Sequence, residues 1–189
     1  MADVIKRENI VDMALTFTAM VRVFEAGSKK LISEKLVREF SDITNISSRK
    51  EFDKFHKEFC SWFCNNIRTA EKSKNGRVFK SSKNASYGHA AKILDIVLKV
   101  YVYYSHLPDI EHSKVLVGFL HGAIDTPILE HLKEKNPGQT IKAMNISEID
   151  EDQYHILQKY INSEIENQYM KKIYPVQYDD IVWNHLNRS

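Results

Sequence analysis

His89-Ala90-Ala91-Lys92-Ile93-Leu94-Asp95-Ile96-Val97-Leu98-Lys99-Val100-Tyr101-Val102-Tyr103-Tyr104-Ser105 is apolar on nearly every side of a helical wheel. A surface helix buries one stripe, whereas a helix apolar all round belongs inside a helical protein. The run is therefore read as a central, buried helix, ended by Pro108 and Asp109. On its N-terminal side, Ile10, Met13, Ala14, Phe17, Met20, Val21 and Phe24 recur at three- and four-residue steps, with Gly27 as a stop. A shorter helix is expected from about Lys30 to Phe40. Ser48 followed by Glu51 forms a capping box that opens a third helix, with Phe52, Phe55, Phe59, Trp62, Phe63 and Ile67 on its core side.

Between Glu71 and Tyr87 the periodicity is lost and Ser, Asn and Gly gather, which reads as a long basic loop between two helical halves. Within it, Arg77-Val78-Phe79 is a candidate for a short strand. Beyond the central helix the chain predicts a helix over Glu111–Leu120 and a turn at His121-Gly122-Ala123-Ile124-Asp125. A further helix then has Pro127 near its start. Ser147 with Asp150 caps a long helix reaching about Ile173, Pro175 closes it, and Asp179 to Leu186 adds a last turn or two. The fold class expected is all-α: one domain over residues 1–189 in two packed lobes. One lobe comprises residues 1–70 with the C-terminal helices; the other, residues 85–140, carries the site.

The 189 residues, 43% of them hydrophobic, suffice for a sizeable core. The charged start at Met1–Glu8 is unlike a signal peptide, and Lys99 interrupts the apolar run Ile96-Val97-Leu98, so no membrane segment is expected. Cys60 and Cys64, the only cysteines, make no disulfide framework, so a cytoplasmic location is expected. The net charge of +2 excludes little, but its distribution is uneven. Lys72 to Lys83 holds five basic residues and no acidic one, while Asn145 to Glu166 is dominated by acidic residues. A basic face opposite an acidic one orients a polyanion, so DNA is the partner expected.

Lys92 and Lys99 lie seven apart, on one face of the central helix. A lysine desolvated on an apolar helix loses proton affinity and becomes a usable amine nucleophile. Asp125 directly precedes Thr126-Pro127, where its carboxylate can accept backbone N–H bonds from the next helix. A carboxylate so held, opposite a desolvated lysine from another helix, is a nucleophile-and-base pair.

Tyr87-Gly88-His89-Ala90-Ala91-Lys92-Ile93-Leu94-Asp95-Ile96-Val97-Leu98-Lys99, followed thirty-three positions after Lys92 by the aspartate of Gly122-Ala123-Ile124-Asp125, resembles the helix-hairpin-helix DNA glycosylases. The archaeal 8-oxoguanine glycosylases and small bacterial relatives look most similar. The resemblance covers Ser86 to Leu132; the Leu-Pro-Gly-x-Gly hairpin is reduced to Gly88, isoleucine replaces the usual proline before Asp125, and the four-cysteine iron–sulfur loop is missing. It implies a base-excision glycosylase, with or without AP lyase activity, acting in repair or in antiviral defence on an oxidised base or a hypermodified base of phage DNA. Lys92 and Asp125 would be catalytic, and no metal or organic cofactor would be needed. Lys74, Arg77, Lys80, Lys83, Tyr87, Gly88, His89 and Lys99 would contact DNA, and Trp62 and Trp183 would be candidates for the base pocket.

Two other chemistries are open. Arg49 and His56, with six residues between them, have the form used by HEPN-like metal-independent RNases built on small helical bundles. His56, Cys60 and Cys64 share one helix face; their span of about 12 Å over two turns is too long for all three to hold one zinc ion. Two of them could, with a partner such as His112 or His121, though buried structural cysteines are the plainer expectation. A helical interaction protein without chemistry is the remaining alternative.

Overall fold

The computed structural model describes residues 2–75, 77–138 and 141–188. The expectation of an all-α chain holds. The helices are α1 (Ala2–Phe17), α2 (Ser28–Glu39), α3 (Arg49–Asn66), α4 (Tyr87–Leu98), α5 (Ile110–Val117), α6 (Thr126–Lys135), α7 (Glu151–Tyr169) and α8 (Pro175–Arg188). The sole sheet among the described residues is a hairpin of β1 (Lys72–Lys74) and β2 (Arg77–Lys80).

Helix α4 is the axis of the molecule. Ala90, Ala91, Ile93, Leu94, Val97 and Leu98 are at most 1% exposed, and α1, α3 and α7 pack around them. Each fully buried Leu, Ile or Val of this kind contributes roughly 1.5–3 kcal/mol. The helix continues beyond Leu98 as a π-helical stretch, Lys99–Tyr104. The aromatic stripe of α3 is core as its spacing requires: Phe52, Phe59 and Phe63 are buried.

Helix α4 is entered from an extended segment, not from a preceding helix. Ser86 closes a capping box with His89, and the hydroxyl of Ser86 also donates to the Ile146 carbonyl (3.1 Å). Gly88 packs so closely on the 146–149 segment that a Cβ there would collide with the Ile146 carbonyl oxygen and stand 2.7 Å from the Ile149 Cβ. The basic stretch expected as a loop instead pairs as an antiparallel hairpin, with Lys72 opposite Lys80 and Lys74 opposite Arg77. Its base is anchored where Thr69 N–H donates to the Lys83 carbonyl (2.8 Å) and Ala70 N–H donates to the Val23 carbonyl (2.8 Å).

Boundaries differ from the sequence reading at two ends. The first helix stops at Phe17, and Met20–Val23 forms a separate 3-10 turn. Thr16 and Thr18 turn their hydroxyls back onto the Asp12 and Leu15 carbonyls, and Ala19 adopts φ 48°, so local side-chain bonding competes with the ladder there. Pro175 opens α8 rather than merely closing α7, which ends at left-handed Met170 and Lys171. No helix among the described residues is long and apolar enough to cross a membrane.

Candidate functional site

Lys92 and Ile96 are only half-buried, while residues 93–95 and 97–98 between and beyond them are buried, so Lys92 leaves α4 at its one open stripe. Burial lowers the pKa of its amine, and the carboxylate of Asp125 works in the opposite direction through space. Among the described residues Lys92 forms no ion pair within 4.0 Å. Asp125 is the N-cap of α6: its Oδ1 accepts the Ile128 N–H at 3.0 Å, and Pro127 follows in the first turn. The capping bond fixes the carboxylate where the helix dipole favours an anion. The charge of Asp125 is therefore felt at Lys92, though the two form no ion pair.

The basic hairpin lies on the same side. His89, three residues before Lys92, is pushed down to about 4 by burial and then by the charges of Lys80, Lys83 and Lys92. These three cations thus cluster round the first turn of α4. Lys74 and Arg77 stand exposed further along the hairpin.

Several residues expected to touch DNA do not reach the surface. Tyr87 and His89 are 8% and 6% exposed. His89 Nδ1 accepts the Ser86 N–H (3.1 Å), and Gly88 is wedged against Ile146 and Ile149. Lys99 is likewise buried, its ammonium held by Asp179 Oδ2 at 2.8 Å and Asp180 Oδ1 at 2.6 Å. It is therefore neither a phosphate contact nor a free nucleophile. The tryptophans are not gathered round Lys92. Trp62 packs half-buried on α3 beneath the Lys35 ammonium (5.4 Å), and Trp183 stands 50% exposed on α8. For Tyr87 the cause is its packing against Tyr154 and His155 of α7, and for Lys99 the two carboxylates of α8, neither of which a helical wheel of α4 reveals.

A second constellation forms behind the loop between α5 and α6. His56 of α3 and Asp95 of α4, both buried, pair at 3.1 Å. The Tyr154 hydroxyl of α7 donates to Asp95 Oδ2 (2.7 Å) and also lies 3.1 Å from His56 Nε2 and 2.9 Å from His121 Nδ1. Burial alone would discharge His56, but Cys60 and Asp95 outweigh it and push its pKa up to about 10. His121 goes the other way: burial, then the charges of His56, Arg49 and His155, hold it well below the usual histidine range. Burial raises Asp95, while His56 and Tyr154 pull it back.

Arg49 does not simply face solvent, as its place at the start of α3 suggested. Its guanidinium donates to the Phe119 carbonyl and to the Gly118 carbonyl (2.8 Å). His56 is 1% exposed and so closed off from any polymer substrate. Asp95, Tyr154 and His121 were not singled out as a group, because they come from three distant segments. The available signal was an aspartate on a helix apolar on all other sides, which requires buried partners.

His56, Asp95 and His121 also place one donor atom each within 4.8 Å of one another, the size of a metal site. His56, Asp95 and His121 Nδ1 are already matched among themselves and with Tyr154. Cys60 is 3.7 Å from His56 Nδ1, and both it and Cys64 are free thiols.

Comparison with protein-family models, with curated proteins and with solved structures finds no match for this chain.

Proposed function

We propose that the protein is a DNA base-excision glycosylase working by lysine and aspartate chemistry, on an oxidised base or a hypermodified base of phage DNA. One observation carries the reading: the Lys92 amine is partly desolvated, unpaired among the described residues, and opposed by the carboxylate that caps α6. A desolvated amine has a larger neutral fraction near pH 7, and only the neutral amine is nucleophilic.

A base stacked in a duplex must be turned out before its sugar can be attacked, at a cost of a few kcal/mol. The cations at Lys74, Arg77, Lys80 and Lys83 neutralise phosphates flanking that nucleotide. Asp125 stabilises the positive charge that develops on the sugar and takes the proton from the attacking amine. Lys92 forms a bond to C1′ as the N-glycosidic bond breaks, and the base leaves with the bonding electron pair and gains a proton. Ring opening then gives a Schiff base, from which β-elimination cleaves the strand.

The test is borohydride trapping across duplexes carrying abasic sites, oxidised purines and hypermodified pyrimidines. A covalent protein–DNA adduct is expected with wild type and is lost in Lys92→Gln. An adduct that persists in Lys92→Gln, or no excision and no adduct with any substrate from folded protein, overturns the reading.

A further inference from the structure

The network behind the α5–α6 loop opens into a cleft of ≈ 610 Å³ whose lining includes Arg49, Asp53, His121, His155, Gln158 and Lys159. Hydrogen-bond accounting decides how His121 meets it. Asp95, paired with His56, accepts on both oxygens, so the single Tyr154 hydroxyl proton is given to Asp95 Oδ2 (2.7 Å). The phenol oxygen must then accept from His121 Nδ1 (2.9 Å), which puts the imidazole proton on Nδ1. His121 Nε2 is left with a lone pair and, among the described residues, no hydrogen bond; it stands 3.7 Å from Asp53 Oδ1.

The loop is clamped in that position. Gly122 N–H donates to Gln158 Oε1 (3.2 Å), and Gln158 Nε2 donates to the Gly122 carbonyl (2.8 Å). His121 is faced from α3 by Arg49, Asp53 and His56 and from α7 by Tyr154 and His155, with Asp95 of α4 behind the tyrosine. At the mouth, Arg49 and the exposed Lys159 are cationic, and Asp53 stands 4.0 Å from Arg49. Two of the five guanidinium N–H groups of Arg49 are spent on carbonyls and its charge is shared with Asp53 at 4.0 Å, so a phosphate meets Arg49 through its remaining N–H groups in competition with that carboxylate. Among the described residues the lining holds no serine, threonine or cysteine, so an attacking hydroxyl has to come with the substrate.

We propose that this cleft is a second reaction site, separate from Lys92 and Asp125, that cleaves RNA: Arg49 and Lys159 hold the phosphodiester, and His121 Nε2 accepts the proton of the ribose 2′-hydroxyl. The freed O2′ bonds to phosphorus, the P–O5′ bond breaks, and O5′ leaves with the electron pair and takes a proton from solvent at the open mouth. The products are a 2′,3′-cyclic phosphate and a 5′-hydroxyl, and His121 returns its proton to water. This reassigns the catalytic base from the buried His56 to His121; Tyr154 and Asp95 are positioning residues that fix the tautomer.

The experiment uses the full chain, a labelled RNA oligonucleotide series and the all-deoxy counterparts, in the presence of a chelator. Wild type should cut RNA to cyclic-phosphate ends and leave the deoxy strands whole. His121→Gln should lower the rate about 100-fold, the typical contribution of a positioned base. Lys159→Glu, at an exposed position, should raise KM with kcat nearly unchanged. Lys92→Gln should cleave RNA normally, and His121→Gln should still form the borohydride adduct, which separates this proposal from the glycosylase reading. The rate in wild type should show no inflection between pH 6 and 7, and Tyr154→Phe, which releases the tautomer but leaves the burial and charges that hold His121 low, should lower kcat with KM nearly unchanged and keep that flat profile. Wild-type protein that is folded and leaves every RNA intact, deoxy strands cut equally well, or Lys159→Glu and His121→Gln both acting at the wild-type rate would overturn it.

Discussion

At the scale of single residues, three imidazoles in one small protein are set to different charge states by what surrounds them. His56 is held protonated beside Asp95, whereas His89 and His121 are held neutral. The consequences for stability have opposite signs. His89, pushed down to about 4, is neutral in the fold while the unfolded chain takes up a proton, so it favours the fold increasingly as pH rises from about 4 to 6.5. His56, pushed up to about 10, contributes fully below about 6.5, and its contribution is lost as pH rises toward 10. Denaturant melts should therefore weaken on the alkaline side, by at most about 1.4 kcal/mol per pH unit for one proton, and His56→Gln should flatten that fall. Asp95, also raised, opposes His89 on the acidic side, so the alkaline limb is the informative one. Asp125 allows a cleaner separation of structure from chemistry. Asn caps helices about as well as Asp. Asp125→Asn should keep the melting temperature within a degree or two, as a change under about 0.5 kcal/mol implies, yet in the glycosylase reading abolish excision, whereas Asp125→Ala should also cost about 1 kcal/mol.

At the scale of elements, α4 does two jobs that restrict each other. Its buried faces make the core, and only the Lys92–Ile96 stripe is left partly open, which in the glycosylase reading carries the chemistry. The helix start is over-determined by the Ser86 capping box and by the contact of Gly88 with Ile146. Removing the cap in Ser86→Ala should cost about 1 kcal/mol. Gly88→Ala forces a methyl group into backbone and should cost more, roughly 1–3 kcal/mol as overpacked sites do, read as a lowered urea midpoint. In the strongly basic hairpin, by contrast, Lys72, Ser73, Lys74, Arg77 and Val78 are exposed. In the glycosylase reading, Lys80→Glu with Lys83→Glu should leave the fold intact and reduce the salt slope of DNA binding by about two, one for each phosphate no longer neutralised.

At the scale of the whole molecule, the last helix is locked to the central one by a buried ion cluster. Lys99 holds Asp179 and Asp180, and the Tyr104 hydroxyl donates to Asp180 as well (2.5 Å). Burial lifts Asp179 to about 6 even with Lys99 beside it, which shows how dry the junction is. Lys99→Met should therefore destabilise the fold by about 1–3 kcal/mol, read as a lowered urea midpoint, because it leaves the mostly enclosed Asp179 without its cation while the more exposed Asp180 can turn to water. The sequence alone was sufficient for the all-α class, the central place of α4, the aromatic core of α3 and the capping role of Asp125, since helical period, caps and prolines are local signals that every segment carries with it. The half-buried amine of Lys92 and the capping carboxylate of Asp125 could each be recognised on its own helix. The sequence could not tell Lys92 from Lys99 or His56 from His121. Each pair looks alike along the chain, and only the packing of distant helices such as α7 and α8 tells its members apart. That packing encloses Lys99 between Asp179 and Asp180 while Lys92 stays half-buried, and shuts His56 in beside Asp95 and Tyr154 while His121 lines a cleft.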